Sequence, residues 1–182
     1  MFISPRKPSD TETSTQLLTR TAVIKYYNYD IVFQEFPNEV TLAINLSLCP
    51  NGCPGCHSAF LQGDIGEELT ESRLKSLVSD LSGEITCVGL MGGDNDPMTV
   101  AQLLQSIKKQ FGEQIRTGWY SGKQNLPQQL PLEAFDYIKL GPYRKDMGPL
   151  NARTTNQRLY RIDNGEMEDI TSNFWKQNGN FV

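Results

Sequence analysis

The sequence predicts an α/β fold in the form of a partial, open (βα) barrel, and three observations lead to this prediction. Segments that alternate apolar and polar residues, as strands do, are separated by segments with the apolar spacing of helices. Strand–helix–strand order implies a mostly parallel sheet with right-handed crossovers. The chain has 182 residues, whereas a closed eight-stranded barrel takes about 250. Only an incomplete barrel therefore fits the length.

Composition narrows the class of protein. Hydrophobic residues make up 38% of the chain, which is enough for the buried core of one domain. The net charge of −4 argues against nucleic acid or acidic lipid as a partner. No apolar run approaches the ~18–20 residues of a membrane span, and the first residues lack the apolar stretch of a signal peptide. We therefore expect a soluble, cytoplasmic protein with no membrane partner.

The chain divides into a tail and a domain. Residues 1–20 are rich in Ser, Thr, Pro and charge, and we predict that they form a flexible N-terminal tail. Residues 21–182 are predicted to form a single domain. Its first part, 22–36, is β-rich and ends at Pro37.

The domain then alternates strands and helices. Residues 40–48 alternate apolar and polar side chains, which predicts a strand that runs directly into Cys49. Thr70 is a predicted N-cap for a helix that Gly83 stops, and Asp96 with Pro97 is predicted to begin a second helix. The remaining predicted ranges are strand 85–90, the end of the second helix at 112, strand 115–119, strand 135–140 and strand 159–162.

The unusual loops all follow predicted strands. The carboxyl ends of parallel strands meet at one edge of a sheet, and ligand sites collect in the loops beyond that edge. The functional site is therefore predicted there. The loops are the cysteine loop 49–56, Gly92-Gly93-Asp94, Tyr120-Ser121-Gly122 and Gly141-Pro142-Tyr143.

The cysteine loop carries the strongest chemical signal. Cys49, Cys53 and Cys56 have the spacing C-x3-C-x2-C, and thiolates are soft ligands suited to iron–sulfur clusters and to zinc. A cubane cluster has four irons, so three cysteines leave one iron open to another ligand. Two alternatives stay open: a zinc site with His57, the only histidine, as fourth ligand, and a dithiol redox pair of Cys53 and Cys56. The fourth cysteine, Cys87, lies in a predicted buried strand and is expected to be a core residue.

Five short motifs follow one another along the chain: 53–57 (CPGCH), 91–94 (MGGD), 119–122 (WYSG), 141–143 (GPY) and 155–158 (TNQR). Together with the cysteine spacing they resemble the radical S-adenosylmethionine (SAM) superfamily, and within it the activating proteins of anaerobic ribonucleoside-triphosphate reductases. The resemblance extends over roughly residues 28–162. It departs from the superfamily at Gly55, where many members have an aromatic residue, and at Asp94, where a glutamate is common.

The resemblance implies a cofactor set and an activity. Cys49, Cys53 and Cys56 would each bind one iron of a [4Fe–4S] cluster, and SAM would bind the fourth iron. Gly92, Gly93 and Asp94 would form the SAM-binding loop, and no catalytic residue beyond the cluster ligands is expected. The implied fold is a radical SAM barrel with an abbreviated C-terminal half.

The implied enzyme is an oxidoreductase that cleaves SAM reductively to a 5′-deoxyadenosyl radical. That radical would install a glycyl radical on an anaerobic ribonucleoside-triphosphate reductase, with electrons from a donor such as flavodoxin. The alternatives are another small radical SAM enzyme, which activates a different glycyl radical enzyme or acts in deazapurine synthesis, and a non-catalytic iron–sulfur electron carrier. A carrier would be expected to have four cysteine ligands per cubane cluster.

Overall fold

The computed structural model describes residues 23–176, so the predicted tail of residues 1–20 lies outside the described residues. In this range the strands form one eight-stranded sheet in the order β3-β1-β2-β4-β5-β6-β7-β8. The strands are β1 (Lys25–Val32), β2 (Thr41–Leu46), β3 (Glu67–Glu68), β4 (Cys87–Met91), β5 (Arg116–Tyr120), β6 (Tyr137–Leu140), β7 (Arg158–Asp163) and β8 (Glu166–Asp169). The helices are α1 (Glu71–Asp80), α2 (Pro97–Phe111) and the short α3 (Asn173–Lys176).

The sheet is parallel in its centre and antiparallel on both sides. The four central strands, β2, β4, β5 and β6, run parallel to one another, as predicted. The outer pairings of β1, β3, β7 and β8 are antiparallel, so the prediction of a mostly parallel sheet was wrong outside the centre. The β1–β2 connection is too short for the dozen or more residues that a parallel crossover needs. The edge strands β3 and β8 do not pair, and the sheet is open.

The two long helices begin where local chemistry predicts. The Thr70 hydroxyl accepts a hydrogen bond from the Arg73 amide at 3.1 Å, and this N-cap begins α1. An Asp96 carboxylate oxygen accepts one from the Thr99 amide, also at 3.1 Å, and Pro97 is the first residue of α2. Both helices pack their apolar residues into a core with one face of the sheet. No helix among the described residues combines the length and apolar character needed to cross a membrane.

The opposite face of the sheet is covered by Phe36, from the β1–β2 connection. Phe36 is fully buried and lies over Gly118, where an added Cβ would come within 2.1 Å of the ring. Its ring also contacts those of Tyr120 and Tyr137, at centroid distances of 5.3 and 5.1 Å. Phe36 thus fills the middle of this face, and the space beyond it, at the carboxyl ends of the strands, holds the candidate site.

Candidate functional site

A cleft lies at the carboxyl ends of the central parallel strands. The loops after β2, β4, β5 and β6 all contribute to its walls, so the unusual loops of the sequence do meet at one edge of the sheet. The cleft has a volume of about 190 Å³. Its lining includes Cys49, Cys53, Cys56, Gly92, Asp94, Tyr120, Lys139 and Gly141.

Backbone hydrogen bonds shape the cysteine loop so that its three thiols line the same cleft. The Cys49 amide donates to the Leu61 carbonyl at 3.0 Å, and the Cys56 amide donates to the Cys53 carbonyl at 3.1 Å. Gly55 has a φ of +75°, a conformation that side chains disfavour. All three thiols are free and partly exposed. They are therefore accessible to a ligand in the cleft.

The donor set of the cleft is three thiols, which are soft metal ligands. Within residues 23–176, no group of three or more His, Cys, Asp or Glu side chains is arranged to hold one metal ion. A cubane cluster does not require such convergence, because each cysteine binds a different iron atom. Asn51 Nδ2 also donates to Cys49 Sγ at 3.6 Å, the kind of contact that supports a ligating sulfur.

Cys87 and His57, the fourth cysteine and the histidine of the zinc alternative, do not line the cleft. The fully buried Cys87 belongs to the core cluster around Phe36, which confirms the prediction that it is a core residue. Burial raises the pKa of its thiol well above the usual range. His57 is exposed and does not line the cleft, and its ring centroid lies 5.6 Å from that of Tyr143.

The two glycines after β4 have different surroundings. Gly92 lines the cleft with a φ of +107°, and its carbonyl accepts a hydrogen bond from Trp119 Nε1 at 2.6 Å. Gly93 faces the core instead, since an added Cβ would come within 2.5 Å of Val100 and 2.9 Å of Leu46. Gly92 is thus the member of the pair that a ligand can approach, and Gly93 is required by packing.

Asp94 joins three loops. One carboxylate oxygen accepts a hydrogen bond from Ser121 Oγ, and the other accepts from Asn51 Nδ2 and from the Gly122 amide at 2.8 Å. The side chain lines the cleft but is 9% exposed, and these donors occupy both of its oxygens. Asp94 therefore holds the cysteine loop against the loops that follow β4 and β5.

Lys139 belongs to the predicted strand 135–140, of which only one face can point at the site, and the structure places it in the cleft. Its side chain is 7% exposed, and Nζ donates to the Gly141 carbonyl at 2.8 Å and lies 5.6 Å from the Tyr120 ring centroid. Burial lowers the pKa of Lys139 to about 8, and negative charge at Asp94, Cys53 and Cys56 opposes that shift. The available signal in the sequence was a lysine inside the apolar strand 135–140, two residues before Gly141.

The chain matches no protein-family model, no curated protein and no solved structure. The features that point to a function are therefore the cleft and the motifs that build it.

Proposed function

We propose that this chain is an iron–sulfur radical SAM activase that installs a glycyl radical on an anaerobic ribonucleoside-triphosphate reductase. One observation carries the proposal: three cysteines of a single loop line the same cleft as a glycine loop, at the carboxyl ends of parallel strands. In this proposal the open sheet is the incomplete wall of a (βα) barrel with an abbreviated C-terminal half.

The residues of this chain would bind, position and shield the cluster and SAM. Cys49, Cys53 and Cys56 would hold a [4Fe–4S] cluster, and Asn51 would stabilise negative charge on the Cys49 sulfur. When bound, the cluster supplies the electron that cleaves a C–S bond of SAM. Gly92 leaves room for the methionyl end of SAM. In this proposal no side chain is required to move a proton.

Access to the cysteine loop supports a role with protein partners. Gly52, Pro54 and Gly55 are exposed beside the partly exposed thiols. An electron donor such as flavodoxin would approach the cluster over this surface, since electron transfer needs a short path from the donor. The glycine-bearing segment of the reductase would enter the cleft itself.

Anaerobic reconstitution with iron and sulfide tests the first half of the proposal. We expect about four irons per chain, absorbance near ~400 nm, and SAM cleavage on addition of dithionite. Cys49→Ser should abolish cleavage, whereas the matched control Cys87→Ser should retain the cluster, because Cys87 lies in the core. Colourless protein that holds a single zinc ion would overturn the proposal.

Electron paramagnetic resonance with the reductase tests the second half. Incubation of the reconstituted protein with the reductase, SAM and reductant should produce the doublet of a glycyl radical. SAM cleavage without that doublet would favour a different radical SAM substrate. A cluster that neither binds nor cleaves SAM would favour an electron carrier.

A further inference from the structure

The proposed function leaves Lys139 unexplained. Its ammonium is buried, and the only hydrogen bond it makes in the described part of the chain is to a neutral carbonyl, that of Gly141. The ion pairs between residues 23 and 176 do not include it. An ammonium has three donors, and a buried cation without a counter-ion is unfavourable unless a ligand supplies the negative charge.

Asp94, the acidic residue of the cleft, does not neutralise Lys139 by direct contact. Its oxygens accept hydrogen bonds from Asn51, Ser121 and Gly122, and no ion pair joins the carboxylate to Lys139 among the described residues. A second buried donor lies beside the lysine instead: Gln157 Nε2 donates to the same Gly141 carbonyl, at 3.3 Å, and Gln157 is 6% exposed. Two buried donors therefore converge on one wall of the cleft.

The cleft that these two donors line is also lined by the cysteines. Lys139, Gln157, Cys53 and Cys56 line the same space, and the ring of Tyr120 lies beneath the ammonium. A small ligand bound at the cysteines would therefore place its polar end within reach of Lys139. An anionic group at that end would form charge-assisted hydrogen bonds in a largely dehydrated position.

We propose that Lys139, with Gln157 beside it, binds the carboxylate of the ligand in this cleft. This inference rests on the proposed function, under which that group is the α-carboxylate of SAM. Lys139 would then select ligands that carry the intact amino-acid end and hold them in register with the cysteine loop.

The test is equilibrium binding of two ligands, SAM and decarboxylated SAM, to the reconstituted protein without reductant, measured by calorimetry. The wild-type chain is compared with Lys139→Met and Lys139→Gln. Both variants should bind SAM about 10- to 100-fold more weakly, since a hydrogen bond to a charged group is lost. Their affinity for decarboxylated SAM should equal that of the wild type.

Lys123→Met is the matched control, because Lys123 is an exposed lysine in the loop after β5. It should leave the affinity for both ligands unchanged. Iron content and circular dichroism establish that each variant is folded and loaded. A loss of affinity that is equal for both ligands, no loss at all, or loss of the cluster in both Lys139 variants would overturn the inference alone. Failure of the wild-type chain to bind iron or SAM would overturn the proposed function and the inference together.

Discussion

Replacing Lys139 with Met is expected to stabilise the metal-free protein at neutral pH. Burial lowers the pKa of Lys139 from 10.5 to about 8. Between these two values the unfolded chain binds more protons than the folded one, so the stability of the wild-type protein rises with pH across this window. The destabilisation due to Lys139 is about 3 kcal/mol at pH 7 and about 2 kcal/mol at pH 9.

The variant also loses one hydrogen bond. Lys139 Nζ donates to the Gly141 carbonyl. The loss of that hydrogen bond offsets about 1 kcal/mol of the stability gained by removing the buried charge. The free energy of unfolding of Lys139→Met should therefore exceed that of the wild type by about 2 kcal/mol at pH 7 and by about 1 kcal/mol at pH 9. The decrease of this stability difference from pH 7 to pH 9 is specific to Lys139, because the other titrating groups are common to both proteins and their contributions cancel.

Urea unfolding of the two metal-free proteins, in parallel at several pH values between about 7 and 9, measures this difference. Lys123→Met controls for the removal of a charge, and as a surface substitution it should change the free energy of unfolding by less than about 0.5 kcal/mol at every pH. A wild-type protein that is the more stable of the two at pH 7, or a difference in stability that does not change with pH, would show that Lys139 is not buried as a destabilising cation.

Three further substitutions test the supports of the cleft. Gly118→Ala places a Cβ against the Phe36 ring, so the free energy of unfolding in urea should fall by about 3 kcal/mol. An unaltered unfolding midpoint would contradict this packing. Trp119→Phe keeps an aromatic ring but loses the hydrogen bond to the Gly92 carbonyl, so thermal unfolding should show a stability lower by about 1–2 kcal/mol. A stability equal to that of the wild type would count against that hydrogen bond. Cys87→Ala should lower the free energy of unfolding, measured by chemical denaturation, by about 1–2 kcal/mol and leave the iron content unchanged. Loss of iron would instead identify Cys87 as a ligand.

Local chemistry explains which elements were predictable. The capping residues Thr70 and Asp96 act on amides three positions later, so the starts of α1 and α2 can be read from short segments. The central strands were predictable because they alternate or are continuously apolar. The short strand β3, two glutamates at Glu67–Glu68, depends on pairing with β1, and nothing in its own sequence indicates a strand.

Strand β8 illustrates a signal that was present but not used. Its four residues are mostly acidic, and the hairpin with β7 determines its conformation. Asn164 and Gly165 have φ values of +50° and +80°, as the two central residues of a type I′ turn require. An Asn-Gly pair between two short segments therefore indicates a hairpin even where the second strand is polar.

The location of the site could be predicted, but the direction of its side chains could not. Parallel strands bring their carboxyl ends together whatever the register, so the loops were expected to meet. The orientation of Lys139 depends on its pairing with Tyr120, and the inward direction of Gly93 depends on Val100 in α2. These relationships follow from sheet register and helix packing, which a single sequence does not specify.

The hydrogen bonds that converge on Asp94 affect how the cleft opens. This carboxylate, in the segment after β4, receives donors from the segments that follow β2 and β5, so the three segments are held together at one side chain. The rim should therefore come apart as one cooperative unit and not by fraying at one loop. The amide proton of Gly122 is a natural reporter of that event, because its exchange with solvent requires the bond to Asp94 to break.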